Sequence, residues 1–115
     1  MELTERLVCL AADTMILMTQ SNLSNLPRPI KEQLIKSASS PGANYEEAQG
    51  ASSRRDFHQK CKISLRELRE TNYWLRVIQK SGHSEAKLQQ LVEETSELLK
   101  IFVTNCKKTD STKQY

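Results

Sequence analysis

The chain has 115 residues, a formal net charge of +3 and 37% hydrophobic residues, which suits one helical domain with a narrow core. Only three glycines, three prolines and 5% aromatic residues argue against a turn-rich β-sandwich or barrel. No apolar run approaches the ~20 residues of a membrane span, and Met1 to Arg6 lack the basic-then-apolar order of a signal peptide. We therefore expect a cytoplasmic protein without a membrane partner.

The cysteines and histidines indicate neither a metal site nor catalysis. Cys9, Cys61 and Cys106 are far apart and form no close ligand pair, so we expect no zinc, and we interpret Cys61 and Cys106 as buried thiols in apolar helical stripes. His58 and His83 have no nucleophile or paired acid at recognisable spacing, and we interpret both as surface residues. No phosphate-binding loop or zinc-protease motif is present. The sequence thus predicts a protein that is not an enzyme and has no cofactor.

The first predicted helix runs from about Leu3 or Thr4 to Ser21, with Thr4 and Glu5 as its expected cap. Its apolar residues occur on nearly every side of the helix. A helix of this kind is buried on more than one side, which predicts either a central position or contact with another subunit.

The second predicted helix runs from about Pro29 to Gln49 and contains Pro41. A proline inside a helix removes the bond to the carbonyl four residues earlier, here Ser37, and clashes with it. The pattern therefore predicts a kinked helix, with two shorter helices as the alternative.

Ser53 and Asp56 have the spacing of a capping box at the start of the third helix. That helix should end at Lys80, with Gly82 supplying a left-handed end. Ser84 is the expected cap of the fourth helix.

Four helices with short connections predict an all-α, up-down-up-down four-helix bundle. We expect it to form one domain over residues 1–108, followed by a flexible C-terminal tail over residues 109–115.

Residues 1–50 have a net charge of −2, so the rest of the chain carries +5, and the eight basic and three acidic residues of 53–80 account for all of it. On the side of this third helix opposite its core positions, polar residues recur at steps of three and four. Apart from Gln59, they are Arg55, Lys62, Arg66, Arg69, Tyr73, Arg76 and Lys80. We call this set the basic face. Such a face can track phosphates and Tyr73 can stack on an unpaired base, although a merely solvated surface is the alternative.

Ile63, Trp74 and Val77 lie between the core side and the basic face of the same helix. We call these residues the α3 flank. Tryptophan is common in interface cores, so the flank predicts a subunit interface, with a broader core inside one chain as the alternative.

A family resemblance rests on the run Ser37–Ala48, on Ser53, Asp56-Phe57 and Lys60, and on Leu65–Thr71 with Tyr73-Trp74-Leu75. In these motifs the chain resembles the bacterial four-helix-bundle family that includes proteins encoded in intervening sequences of 23S ribosomal RNA genes. The resemblance implies a four-helix bundle assembled as a ring-shaped homopentamer. A related group comprises the accessory proteins of diversity-generating retroelements, which are basic pentamers that work with a reverse transcriptase and nucleic acid.

Asn44 and Glu47 match the family pattern Ala-Asn-x-x-Glu and share one face of the second helix. We expect a structural role for both, in which Glu47 pairs with Arg54 or accepts from the first amides of the third helix.

These patterns lead to one hypothesis and one alternative. The leading hypothesis is a non-enzymatic, oligomeric scaffold whose basic face binds RNA or DNA weakly and without sequence specificity. The alternative is a structural assembly that binds a protein partner through the acidic fourth helix or the edge of a ring.

Overall fold

The structure is a computed structural model that describes residues 1–110. Its helices are α1 (Leu3–Gln20), α2 (Arg28–Gln49), α3 (Arg54–Lys80) and α4 (Ala86–Thr109), and a short 3₁₀ turn over Asn22–Asn25 joins α1 to α2. No β-strand occurs within the described range. The predicted all-α four-helix bundle is confirmed.

Helices that follow one another in the chain are neighbours in the bundle. α2 packs between α1 and α3, α3 packs between α2 and α4, and a smaller contact joins α1 to α4. The resulting rod measures 49 × 27 × 23 Å. Its axis is lined by a continuous layer of apolar side chains, most of them leucines, that includes Leu7, Leu34, Leu68, Leu98 and Phe102. α3 therefore buries the side that faces α2 and α4, and only its remaining side can meet solvent.

The ends of α3 agree largely with the sequence pattern. The Ser53 hydroxyl accepts a hydrogen bond from the Asp56 amide at 3.1 Å, which is the first half of the predicted capping box. The Asp56 carboxylate accepts from the Ser52 hydroxyl at 2.8 Å, so the second half of the box is replaced by a contact one residue earlier. Gly82 adopts a φ of 110°, which confirms the left-handed helix end.

The starts of α1 and α4 differ from the predictions by one or two residues. Glu2 occupies the N-cap of α1, because its carbonyl already accepts from the Arg6 amide, and its side chain makes no capping bond. Glu85 occupies the N-cap of α4 for the same reason, since its carbonyl accepts from the Leu88 amide. The caps predicted at Thr4 and Ser84 are therefore wrong.

Pro41 lies inside one continuous helix, so the alternative of two shorter helices is wrong. The surrounding helices approach closely at this point. The Ser64 hydroxyl of α3 donates to the Pro41 carbonyl at 2.9 Å, and a Cβ added to Gly42 would lie 3.4 Å from the Cβ of Leu7 in α1. Packing from both sides thus supports the helix where proline weakens it. The kink itself stays a prediction.

The end of the chain is helical for longer than expected. Thr109, the first residue of the predicted tail, is the last residue of α4, and its hydroxyl donates to the Asn105 carbonyl at 2.9 Å. Asp110 follows as the C-cap of α4, and the other residues of that predicted flexible tail, 111–115, lie outside the described residues.

Candidate nucleic-acid interface

The basic face lies on the outward side of α3. All of its members are exposed, and the Tyr73 side chain retains 52% of its accessible surface. The spacing of three and four residues explains this placement, because it keeps every member on the side turned away from α2 and α4. At a rise of 1.5 Å per residue, the face extends over about 38 Å from Arg55 to Lys80. Nucleic-acid binding by this surface stays a prediction.

Most cations of the basic face make no ion pair with the part of the chain that the structure describes. Arg66 lies 3.4 Å from Glu67, in an exposed contact that contributes little to stability. Within residues 1–110, the members without an acidic partner are Arg55, Lys62, Arg69, Arg76 and Lys80. The positive charge of this surface is therefore largely uncompensated by neighbouring side chains.

Two acidic residues of α4, Glu94 and Glu97, pair with α1 and not with the basic face. The Arg6 guanidinium donates to both oxygens of Glu94, at 3.0 and 2.7 Å, and lies 3.1 Å from Glu97. The hydrogen bonds that Arg6 donates to Glu94 raise the pKa of Arg6 above its ordinary value, although partial burial acts in the opposite direction. Sequence reasoning missed this pair, because it joins residues 88 positions apart in the chain.

Two shallow grooves interrupt the basic face. The first, of about 430 Å³, lies along the middle of the helix and is lined by Gln59, Lys62, Ile63, Leu65, Arg66 and Arg69. The second, of about 370 Å³, lies near the C-terminal end and is lined by Tyr73, Arg76, Val77, Gln79 and Lys80. We call them the middle groove and the terminal groove. Only the terminal groove includes an aromatic ring.

A buried asparagine holds one arginine of the basic face in place. Asn72 is 7% exposed, and its amide donates to α4 at the Val92 carbonyl (3.3 Å), the Thr95 hydroxyl (2.9 Å) and the Ser96 hydroxyl (3.2 Å). Its carbonyl oxygen accepts from Nε of Arg76 at 2.8 Å. The arginine is thus oriented by the α3–α4 packing.

Sequence reasoning also missed Asn72, although a signal was present. It lies four residues after Leu68 and three before Leu75, at a core position of α3. A polar side chain at such a position requires hydrogen-bond partners inside the protein.

The α3 flank is half-buried in the isolated chain. Ile63, Trp74 and Val77 all have intermediate exposure, and Trp74 packs against the core. The Trp74 indole lies 3.5 Å from the Glu70 carboxylate and meets the Tyr73 ring edge-to-face, with centroids 5.2 Å apart. The chain itself therefore covers part of the flank. The predicted subunit interface stays a prediction.

A second apolar surface runs along the outside of α1. Val8 and Met15 are 49% exposed and Ile16 is 52% exposed, with Ala12 exposed between them. We call this set the α1 apolar face. The sequence of α1 is apolar on nearly every side. One of these sides packs inward, and the other remains uncovered in the isolated chain.

Asn44 and Glu47 do not form a common site. The Asn44 amide donates to the carbonyl and the hydroxyl of Ser40 within α2, both at 3.0 Å. Glu47 forms an ion pair with Lys60 at 2.8 Å, so the partners predicted for it were wrong; the Arg54 guanidinium donates instead to the Lys108 carbonyl. The register between α2 and α3 brings Lys60, six residues after Arg54, opposite Glu47.

The histidines are partly exposed, and two of the three cysteines are buried. His58 Nδ1 is 3.0 Å from the Thr109 hydroxyl, and both histidines keep intermediate exposure at the surface of the bundle. Cys61 and Cys106 are buried as predicted. Burial, and to a smaller extent the nearby Cys106 thiol, raises the pKa of Cys61 to about 11.

Residues 1–110 contain neither a group of metal ligands nor a helix able to span a membrane. This range holds no group of three or more histidine, cysteine or acidic side chains placed to share a metal ion. In the same range, no helix combines the length and the apolar character required to cross a bilayer.

The fold and its surfaces define a small all-α four-helix-bundle protein. The chain belongs to the 23S rRNA-intervening sequence protein family, whose model matches residues 9–104. A similar solved structure, from Bacteroides thetaiotaomicron, is described as a protein with unknown function from the S23 ribosomal protein family. It is 25% identical, aligns over 90% of this chain and 97% of its own, and has a TM-score of 0.79. No curated protein matches the chain.

Proposed function

We propose that this protein is a non-enzymatic, homo-oligomeric scaffold that binds RNA or DNA weakly and without sequence specificity through the basic face of α3. The observation that carries the proposal is the set of exposed cations on this face that lack acidic partners within residues 1–110. Cations in this state attract phosphates and release condensed counterions when they bind. Two of the α4 carboxylates, Glu94 and Glu97, are paired with Arg6 of α1.

Weak specificity follows from the shape of the surface. The basic face is one outward side of a helix that is packed on its other sides against α2 and α4. Contacts to phosphates fix position but do not distinguish bases. Side chains of α3 therefore bind the backbone of a polynucleotide and carry little sequence information.

Self-association is the second part of the proposal. The α3 flank and the α1 apolar face both present apolar side chains that the isolated chain leaves partly or largely uncovered. A second copy that covers them would remove this area from water. A pentameric ring, as the family resemblance implies, would repeat the basic face around its axis and raise the local positive potential. A cytoplasmic location accords with the three free thiols.

Salt-dependent binding tests the nucleic-acid part of the proposal. A labelled single-stranded RNA and a duplex DNA are titrated with the protein across a range of salt concentrations. Affinity should fall steeply with salt, and an Arg66→Glu/Arg69→Glu variant should lose most of it. A Lys36→Glu/Lys100→Glu variant makes the same charge change at exposed positions on α2 and α4, and should bind much more tightly than the first variant. Absence of binding at low salt, or equal losses in the two variants, contradicts the proposal.

Trp74→Ala tests the assembly. The variant should fall from the oligomeric to the monomeric mass in light scattering while its helical circular dichroism persists. Thr104→Ala, at an exposed position of α4, is the matched control and should retain the oligomeric mass. A Trp74→Ala protein of native oligomeric mass, or a wild-type monomer, contradicts this part of the proposal.

A protein-docking assembly without a nucleic-acid partner is the second candidate. The α1 apolar face favours it, because exposed apolar patches mark interaction surfaces. The acidic outer side of α4 is less suited to this role than its sequence suggests, since Glu94 and Glu97 already bind Arg6. An intact oligomer that binds neither RNA nor DNA at low salt would favour this candidate.

A further inference from the structure

The terminal groove differs from the rest of the basic face in its chemistry. It combines the Tyr73 ring with two cations, Arg76 and Lys80, around an open volume of about 370 Å³, and in the isolated chain Val77 of the α3 flank contributes to its lining. This volume lies within the range of about 300–1,000 Å³ that is typical of small-ligand sites. The middle groove is lined by three cations, two aliphatic residues and the Gln59 amide, and it has no aromatic ring on which a base could stack.

The Tyr73 ring is both accessible and supported. It is 52% exposed, and the Trp74 ring meets it at a centroid distance of 5.2 Å and an angle of 74°. Trp74 is itself packed against the core of the bundle. An exposed aromatic ring held in this way is a platform for a base, because every base has a π-face that can stack on it.

Arg76 is fixed in place before any ligand binds. Its Nε donates to Asn72, and Asn72 is in turn held by three hydrogen bonds to α4. The terminal nitrogens of the guanidinium have no acidic partner within the described residues. A guanidinium held through Nε loses less conformational freedom on binding a phosphate than an unrestrained side chain does.

We infer that the terminal groove holds one unpaired base of a single-stranded polynucleotide, stacked on Tyr73, while Arg76 and Lys80 bind the flanking phosphates. This inference rests on the proposed function and specifies the form of nucleic acid that the basic face prefers. A duplex can satisfy the cations, but its bases are stacked on one another and cannot reach the ring. The protein therefore binds a single strand more tightly than a duplex of equal length.

The test compares two substitutions at one position. Tyr73→Leu removes the ring, whereas Tyr73→Phe keeps it and removes only the hydroxyl. Each variant is titrated by fluorescence anisotropy with a labelled oligouridine and with a DNA duplex of equal length. Tyr73→Leu should weaken single-strand binding by at least about fivefold and duplex binding by less than about twofold. Tyr73→Phe should bind both within about twofold of the wild type.

Asn72 acts as a positioning residue, and a double-mutant cycle measures that action. Asn72→Ser should weaken single-strand binding when Arg76 is present and have little effect in an Arg76→Gln background. A merely structural role for Asn72 would give the same loss in both backgrounds. That outcome would contradict the positioning of Arg76 by Asn72.

The outcomes distinguish a failure of the proposed function from a failure of this inference. A wild-type protein that binds neither ligand at low salt overturns both the proposed function and this inference. A wild-type protein that binds both ligands equally, with no effect of Tyr73→Leu, overturns the inference and leaves the basic face as a general polyanion surface. A loss in Tyr73→Leu that is equal for single strand and duplex also contradicts base stacking.

Discussion

Polar side chains on the inner side of α3 have hydrogen-bond partners within the protein, whereas those on the outer side mostly face solvent. On the inner side, Ser64 donates to the Pro41 carbonyl, Thr71 donates to the Ser37 hydroxyl, and Asn72 is bonded three times to α4. On the outer side, the cations project into solvent and mostly lack partners within the described chain. Buried polar groups must be satisfied internally, whereas exposed cations are free to meet an external ligand.

Because of this difference, the residues that stabilise the fold and the residues that could bind a ligand are different residues of the same helix. Leu68 and Arg69 are consecutive residues, yet Leu68 is fully buried and Arg69 is exposed. Truncation of an apolar inner residue such as Leu68 should change the free energy of unfolding and leave the binding surface in place. A substitution of an outer cation should weaken binding and leave the free energy of unfolding nearly unchanged. Asn72 is the inner residue that links the two sides, because its oxygen accepts from Arg76.

The largest effect on stability is expected for Leu68→Ala. Truncating this fully buried side chain should lower the free energy of unfolding by about 2–5 kcal/mol, because it removes buried apolar surface and leaves a cavity. Urea unfolding monitored by circular dichroism measures the loss. Gln59→Ala, on the exposed side of the same helix, should stay within about 0.5 kcal/mol of the wild type. Similar losses in the two variants would contradict the separation of the two sides.

The Cys61 thiol tests whether the inner side excludes water. Its pKa is raised from 9.0 to about 11, so at pH 8 the thiolate population should be about a hundredfold smaller than for an ordinary thiol. Alkylation by iodoacetamide, followed by mass spectrometry, should therefore modify Cys61 only after denaturation. Rapid modification of Cys61 in the folded protein would contradict its burial.

The same shift predicts how stability depends on pH. The neutral thiol is the form that the folded state favours, so its contribution to stability is complete below pH 9 and declines as the pH rises toward 11. A Cys61→Ala variant should show a smaller alkaline decline in urea unfolding. An identical decline in both proteins would exclude Cys61 as its source.

A smaller loss of stability is expected for Asn72→Ala. Removing the amide leaves the Val92 carbonyl and the Ser96 hydroxyl without this donor at the α3–α4 contact, which should lower the free energy of unfolding by about 1–3 kcal/mol. Thermal and urea unfolding measure the change. Thr104→Ala removes an exposed hydroxyl of α4 and should have almost no effect. A neutral Asn72→Ala variant would show that the network does not stabilise the bundle.

Features set by helical periodicity could be predicted from the sequence. The apolar stripes gave α1 to α4 within a few residues, and the steps of three and four placed Arg66 and Arg69 on one exposed side. The turn residue Gly82 also marked a helix end correctly, since it adopts a positive φ, which glycine tolerates better than other residues. Each of these features depends on residues close together in the chain.

Features set by the register between helices could not be predicted in this way. The pairs Arg6–Glu94 and Glu47–Lys60 depend on which turns of two separate helices lie opposite each other. The orientation of Arg76 depends on Asn72, and through it on the position of Thr95 in α4. Periodicity places a residue on a side of its helix but does not determine its partner on another helix.

The most direct test of the account measures Leu68→Ala and Arg69→Gln side by side, for urea unfolding and for binding to single-stranded RNA at low salt. We predict that Arg69→Gln weakens binding and reduces its salt dependence while the free energy of unfolding stays within about 0.5 kcal/mol of the wild type. Leu68→Ala should lose stability and, while folded, retain its affinity. An Arg69→Gln protein that binds like the wild type, or one that unfolds as easily as Leu68→Ala, would contradict the claim that the outer side of α3 is a binding surface.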